Sequence, residues 1–431
     1  MQIELFSGLH RIGLRNAAIR YCRLNRFSHR LECVDYAEVE RAFHDPPLAH
    51  APWRIVPRMR LLALPRRWLR EVVQLAVRLC RNASGYRDRS AFLGGHSARM
   101  RRGDVLVCTG MSWLNRRYGE LIAAAKRDYG ISVVALIHDM IPITHPQYSQ
   151  DAAGFRRWAD AMLRNADRLV TDSRYSRETL IARAREIGLV PGEVTLVHLG
   201  ATFTAATSAP TAHPPRMALP RPYVLFVSTV EIRKNHLLLV RVWKRLIERH
   251  GHTAVPALIF VGSRGWLIDP LLTELAATRN LDGKVQIMSG VSDAELELCY
   301  RYCLFTAYPS FVEGWGLPVA ESLQHGKLCI ASNRSSLPEV GDELVDYIDP
   351  EDEEGTLAAV ERAIFHHVYR AGREAQIRRD YVAPTWVDCA RTLVQVALEA
   401  SQRSSAAGSV INAEVAVEDR ERERAPLGAG R

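Results

Sequence analysis

The sequence predicts an α/β protein with two doubly wound halves facing a cleft, and three observations carry that prediction. Short apolar runs alternate with amphipathic helical stretches, the pattern of βαβ units and a parallel sheet. A proline-rich break divides the alternation into two series. The acidic and basic motifs fall directly after apolar runs, where ligands bind in such sheets. The chain has 431 residues, enough at about 150 residues per domain for two or three domains. Hydrophobic residues make up 47% and charged residues 24%, a balance that excludes wholesale disorder.

In the first half, Asp104–Cys108, Ser132–Ile137, Arg168–Thr171 and Val194–His198 read as strands, and Leu121–Tyr129 and Tyr175–Arg185 as helices. Residues 202–222 hold Pro210, Pro214, Pro215, Pro220 and Pro222 among small polar residues; such a stretch forms neither a long helix nor a central strand. Beyond it come strands at Tyr223–Val227, Ala257–Val261, Val285–Met288, Leu304–Tyr308 and Leu328–Ala331. Between them lie helices at Leu237–Arg249, Pro270–Ala277, Asp293–Tyr302 and from Leu317. The predicted organisation is a first domain over 1–205, a linker over 206–222, a second domain over 223–384, a helix over 385–400 and a disordered tail over 401–431.

The formal charge of +9 points to an anionic partner. Residues 54–102 concentrate it, with 13 arginines against Glu71 and Asp88. Within them Trp68–Arg81 has an amphipathic helical pattern suited to an anionic membrane surface, or to an ordinary solvated face. No helix-turn-helix, zinc-finger or RNP-type signature accompanies the charge, so nucleic acid is not expected. No apolar run reaches the length of a spanning helix, and the opening MQIELFSGLHR lacks the features of a signal peptide. No two cysteines form a C-x-x-C pair, and Cys299 and Cys303 are expected to be packed thiols in a reducing cytoplasm.

Three stretches can carry chemistry. In Ser310–Lys327 (SFVEGWGLPVAESLQHGK) Glu313 opens a loop with Gly314 and Gly316, and Pro318 fits the first turn of a helix beginning at Leu317. The free N–H groups there make an anion site, with Glu321 expected in that first turn, where a lone carboxylate is more often a partner of the helix dipole. After the strand Tyr223–Val227 comes Ser228 and then Arg233-Lys234, a fork and a point charge suited to a diphosphate or to a solvated basic loop. After Ser132–Ile137 comes His138-Asp139, a histidine placed to meet a sugar hydroxyl or to be held structurally by Asp139.

Together these stretches resemble the retaining glycosyltransferases of family 4, which have the GT-B architecture of two Rossmann-like domains around a central cleft. Glu313 and Glu321 have that family's spacing, and SSLPEV (335–340), VEIRKNH (230–236), HDMIPITHP (138–146), ADRLVTDSRYS (166–176) and VTLVHLGA (194–201) look like it too. The likeness covers roughly 104–400 and is nearest in flavour to mannosyltransferases of exopolysaccharide and O-antigen assembly.

The resemblance implies catalytic roles for Glu313, His138, Lys234 and Arg233. It implies donor-binding roles for Glu321, Gly314, Gly316, Leu317, Ser228 and Gly290, with Gln286–Gly290 near the base. It also implies no metal and no cofactor; the sequence has no Asp-x-Asp triplet. Two departures stand out. Ser228-Thr229 replaces the usual glycine, and the only arginine near the lysine is the adjacent Arg233. Phe6–Arg11 is read as the remnant of a glycine-rich loop. The expected activity is retaining transfer of a sugar, with GDP-mannose the leading donor, to a glycan or polyprenyl-diphosphate-linked acceptor at the inner face of the plasma membrane. The alternative is a catalytically silent nucleotide-sugar or membrane-surface binding protein of the same fold.

Overall fold

The computed structural model describes residues 21–24, 31–34, 100–109, 116–201 and 219–402. Phe6–Arg11, nearly all of the basic region 54–102, most of the linker and the tail after 402 lie outside the described residues. Two compact units hold what is described. Within Leu14–Arg101 there is an antiparallel pair, β1 (Tyr21–Leu24) and β2 (Leu31–Val34), in register Tyr21↔Val34. Everything from Arg102 onward belongs to the other unit, which carries two parallel sheets.

The first sheet has the order β3 (Val105–Cys108), β4 (Ser132–Leu136), β5 (Arg168–Thr171), β6 (Val194–Leu196). Between the strands run α1 (Tyr118–Tyr129), the short α2 (Ile141–Thr144), α3 (Ala152–Asn165) and α4 (Arg174–Glu186). Every residue of β4 and β5 is buried, as strands covered on both faces must be. Helix α3 is not among the elements expected from sequence; its apolar residues Phe155, Trp158, Ala159, Met162 and Leu163 are buried in helical periodicity behind the N-cap Asp151.

The second sheet comprises β7 (Tyr223–Val227), β8 (Ala257–Val261), β9 (Val285–Met288), β10 (Thr306–Tyr308), β11 (Cys329–Ser332) and β12 (Asp346–Ile348), in the order β9-β8-β7-β10-β11-β12. β7 is the first strand of this half and lies centrally; the chain builds outward to β9, then returns to β7's other side at β10. The strand order therefore reverses between β7 and β10, and the carboxyl ends of those two strands frame the crevice where ligands bind in doubly wound sheets. Helices α5 (His236–His250), α6 (Asp269–Ala277), α7 (Asp293–Tyr302), α8 (Leu317–Gln324), α9 (Leu337–Gly341), α10 (Glu353–Phe365) and α11 (His367–Asp380) complete this half. On α5, Leu239, Val242, Trp243 and Leu246 are buried while Arg241, Lys244 and Glu248 face solvent; Gly251 ends it at a positive φ of 83°. Ser292 and Glu295 close a reciprocal capping box on α7.

A last helix, α12, covers residues 386–402. Its Trp386, Cys389, Ala390, Leu393, Val396 and Ala400 share a cluster with Val134, Leu136 and Val170 of the first sheet. Polar contacts tie down its far end. Arg168, 5% exposed, donates to Glu399 at 2.7 Å, and Ser132 Oγ donates to the Ala400 carbonyl at 3.2 Å. Trp315 of the second half belongs to the same cluster, so this cluster joins the two halves, while the second sheet packs in clusters of its own. Cys299 and Cys303 are buried free thiols, and burial pushes them up to about 11 and about 12.

Candidate functional site

β7 ends at Val227, and the chain continues through an isolated bridge at Val230 into a 3-10 turn, Ile232–Lys234. Asn235 stops that turn in the left-handed region (φ 59°), a conformation asparagine tolerates better than most residues. Its side chain donates to the Pro350 carbonyl at 2.9 Å. The turn therefore sets Arg233 and Lys234 at the carboxyl end of β7. On the other side of the switch point the chain leaves β10 at Tyr308 and forms the loop 309–316 before α8. The Phe311 N–H donates to the Arg233 carbonyl at 3.0 Å, joining loop and turn.

Four charges meet there. Lys234 Nζ lies 2.6 Å from Glu313 Oε1, and Arg233 Nη1 lies 2.7 Å from Glu313 Oε2. Arg233 also donates through Nη2 to Glu231 at 2.6 Å and through Nη1 to the Val312 carbonyl at 2.7 Å. Burial alone would raise the Glu313 carboxyl, but the Arg233 and Lys234 charges overcome it and hold the group down at about 2. Glu313 is therefore a carboxylate at any physiological pH. It can accept hydrogen bonds or stabilise positive charge, but it has no proton to give as a general acid. Burial lowers Lys234, with Glu313 opposing, and raises Glu231, with Arg233 opposing.

The first half contributes the turn after β4. His138 Nδ1 is 2.7 Å from Asp172 Oδ2, at the end of neighbouring β5. Burial would lower His138, yet the Asp172 charge and hydrogen bond raise it. The partner is thus Asp172 from the next strand, and not the adjacent Asp139 considered from sequence. Asp139 instead accepts the Ile141 N–H at 2.9 Å, and its charge helps hold Arg233 protonated. Among the described residues, Asp172 Oδ1 and Glu231 Oε2 are buried without a hydrogen-bond partner, although buried polar atoms are nearly always paired.

The remaining candidates divide. Gly316 sits at φ 125° as the N-cap of α8, and a Cβ there would lie 2.7 Å from Leu337 Cδ2. Leu317 is the first helical residue, so Glu321 falls beyond the first turn, correcting the sequence expectation; the left-handed glycine, not the later Pro318, fixes where the helix starts. Glu321 accepts from Tyr300 Oη at 2.7 Å. The Ser228 hydroxyl bonds His236 Nε2 at 3.2 Å, and burial together with the Lys234 charge lowers His236 to about 3. Gly290 (φ 73°) follows β9 at the sheet edge, two strands from β7 and therefore about 10 Å away at the usual strand spacing. The structure thus brings Arg233, Lys234, Glu313 and the His138 turn together and spreads Ser228, Glu321 and Gly290 along the same crevice.

Several residues that build the site were not assigned from sequence. Ser335 Oγ accepts the Glu313 N–H at 2.8 Å, and Ser336 Oγ donates to the Glu313 and Trp315 carbonyls at 2.9 and 2.8 Å. Glu231, Asp172, Ser173, Ser176 and Glu339 belong in the same group. Their sequence signals are the runs VEIRKNH, ADRLVTDSRYS and SSLPEV that contain them, and Ser173 just before a helix start.

Comparison with known proteins agrees with this architecture. Residues 214–365 match the family described as glycosyl transferases group 1, and residues 72–184 match the glucosyltransferase 3-like N-terminal domain. The two parallel sheets form the GT-B fold. It is 30% identical to O-antigen chain mannosyltransferase B of Escherichia coli over 167 residues, 39% of this chain and 43% of that protein. It is 26% identical to the serotype-specific mannosyltransferase WbdA of Escherichia coli over 272 residues, 60% of this chain and 33% of that protein. The matches thus span less than half of either relative. Among solved structures, TarM superposes with a TM-score of 0.50 at 11% identity, covering 70% of this chain and 56% of that one.

Proposed function

We propose that this protein transfers a sugar from a nucleotide-sugar donor, with retention at the anomeric carbon and without a resident metal. The observation that carries the reading is the buried Arg233–Lys234–Glu313 cluster at the switch point between β7 and β10. Breaking a glycosyl–phosphate bond builds negative charge on the leaving diphosphate. Arg233, Lys234 and the backbone N–H groups of Gly316 and Leu317 at the start of α8 supply fixed positive charge beside it. Glu313, kept ionised by those cations, accepts hydrogen bonds from the donor sugar. Glu321 takes the ribose hydroxyls, Gly314 and Gly316 allow close backbone approach, Ser228 lies beside the phosphates, and Gly290 borders the base. His138, held through Nδ1 by Asp172, faces the sugar from the first half.

The donor we favour is GDP-mannose, in keeping with the printed activities of the Escherichia coli relatives. The acceptor we favour is a glycan or polyprenyl-diphosphate-linked oligosaccharide of surface polysaccharide assembly. Among the described residues no helix is long and apolar enough to cross a membrane. Residues 54–102 are proposed to hold the protein on the inner face of the plasma membrane. A thermal-shift panel of GDP, UDP, dTDP and ADP tests the donor: a ligand at a hundred times its Kd stabilises by about 2.7 kcal/mol. Stabilisation by GDP alone supports mannose or a related GDP-sugar; by UDP or dTDP alone, it replaces the donor and keeps the class. No shift with any of the four in a folded sample overturns the reading. Flotation with anionic vesicles tests the membrane part, which fails if the protein stays at the bottom of the gradient.

A further inference from the structure

We propose that Ser173, Ser176 and Glu339 are positioning residues that fasten the Glu313 loop of the second half to the His138 turn of the first. This inference rests on the transferase reading for its catalytic meaning, while the contacts themselves stand on geometry alone.

Helix α4 begins at Arg174 with Ser173 as N-cap, whose Oγ accepts the Ser176 N–H at 3.0 Å. The same Ser173 hydroxyl donates to the Gly314 carbonyl at 2.6 Å, one residue beyond Glu313. Ser176 Oγ lies 2.9 Å from the His138 carbonyl and 3.1 Å from the Gly314 carbonyl, so its one proton serves both. Residue 314 has to be glycine, because a Cβ there would sit 2.8 Å from Asp139 Cβ and 3.1 Å from the His138 carbonyl oxygen.

Glu339, on α9 of the second half, reaches across to the same helix start. Its Oε2 accepts the Arg174 N–H at 2.7 Å and its Oε1 the Tyr175 N–H at 2.8 Å. The first N–H groups of a helix have no partner within it, and here a carboxylate from the other half satisfies two of them while meeting the positive end of the helix dipole. Ser336, three residues earlier, holds the Glu313 and Trp315 carbonyls. Trp315 packs against the His198 ring with centroids 4.9 Å apart. The start of α4, the His138 carbonyl and the acid loop are thus one hydrogen-bonded unit, and the separation of His138 from Glu313 is set by it. Ser228, Arg233, Lys234 and Glu321 lie on the second half and make none of these contacts, so nucleotide affinity and turnover are separable.

The experiment compares the full-length protein with Glu339→Ala, Glu339→Gln and Ser173→Ala. Amide exchange is followed over the start of α4, GDP affinity by calorimetry, and kcat and KM with GDP-mannose, or with whichever donor the nucleotide panel selects. In Glu339→Ala, exchange at Arg174 and Tyr175 is expected to rise about tenfold or more. In the same variant kcat is expected to fall about tenfold or more, with donor KM and GDP affinity within about threefold. Gln keeps one acceptor oxygen, so Glu339→Gln falls between Ala and wild type and serves if Ala does not fold. Unchanged exchange and turnover in folded Glu339→Ala overturns the inference, and so does a GDP affinity that falls in step with kcat. If the wild-type protein turns over no nucleotide sugar, the transferase reading fails, and exchange at Arg174 and Tyr175 decides the clamp by itself.

Discussion

Replacing Glu313 by Gln removes the charge that holds Arg233 and Lys234 together while preserving shape. Arg233 keeps Glu231 and the Val312 carbonyl, but Lys234, whose side chain is 12% exposed, loses its 2.6 Å partner. Removing one member of a buried pair costs about 3–5 kcal/mol. A second route gives a similar figure: Glu313 lies at about 2 against an ordinary 4.5, and that gap of about 2.5 pH units corresponds to roughly 3 kcal/mol of stability. The sign follows from the depression. The contribution is full above 4.5, where the unfolded carboxyl is ionised, and is lost as pH falls toward about 2. Urea unfolding of wild type and Glu313→Gln across pH should show a difference of about 3 kcal/mol that is flat from pH 7 to about 5 and shrinks below. A difference under about 1 kcal/mol at pH 7, or one that does not narrow in acid, would refute the reasoning.

Three other outcomes are expected. Gly316→Ala forces a Cβ to within 2.7 Å of Leu337 Cδ2 at φ 125° and should cost about 1–3 kcal/mol, read by thermal melting. Trp386→Ala empties a site 6% exposed in the cluster that joins α12 to the first sheet; a loss of about 3–5 kcal/mol is expected in chemical denaturation. Cys108, Cys299, Cys303, Cys329 and Cys389 are buried, and burial pushes each up to about 11 or 12. Peptide mapping after iodoacetamide at pH 8 should therefore find these five unmodified in the native protein and modified after unfolding.

Much of the site was legible because it is local. The strands Tyr223–Val227 and Ala257–Val261 have the bounds their apolar runs announce, since a strand buried on both faces reads as a near-continuous apolar run, and Arg168–Thr171 and Val285–Met288 also keep their expected bounds. Arg233-Lys234 and the Glu313 loop each follow such a run, so their place at strand ends needed no tertiary information. The start of α8 at Leu317 lies where the sequence places it, with Glu321 falling just past the first turn, while α3 is obscured because its buried positions are interleaved with Arg156, Arg157 and Arg164.

The sequence by itself determined the α/β class, the two sheets and the side chains offered at their edges, because periodicity and turn chemistry act over a few residues. Only the tertiary structure decided who meets whom. The order β9-β8-β7-β10-β11-β12 brings Lys234 to Glu313 across 79 positions of chain. Adjacent parallel strands give His138 its Asp172 rather than Asp139. The start of α4 meets Glu339 across 164 and 165 positions. Hydrogen bonds and ion pairs are short-ranged, and their partners are chosen by which strand lies beside which, a choice made by the packing of the whole sheet.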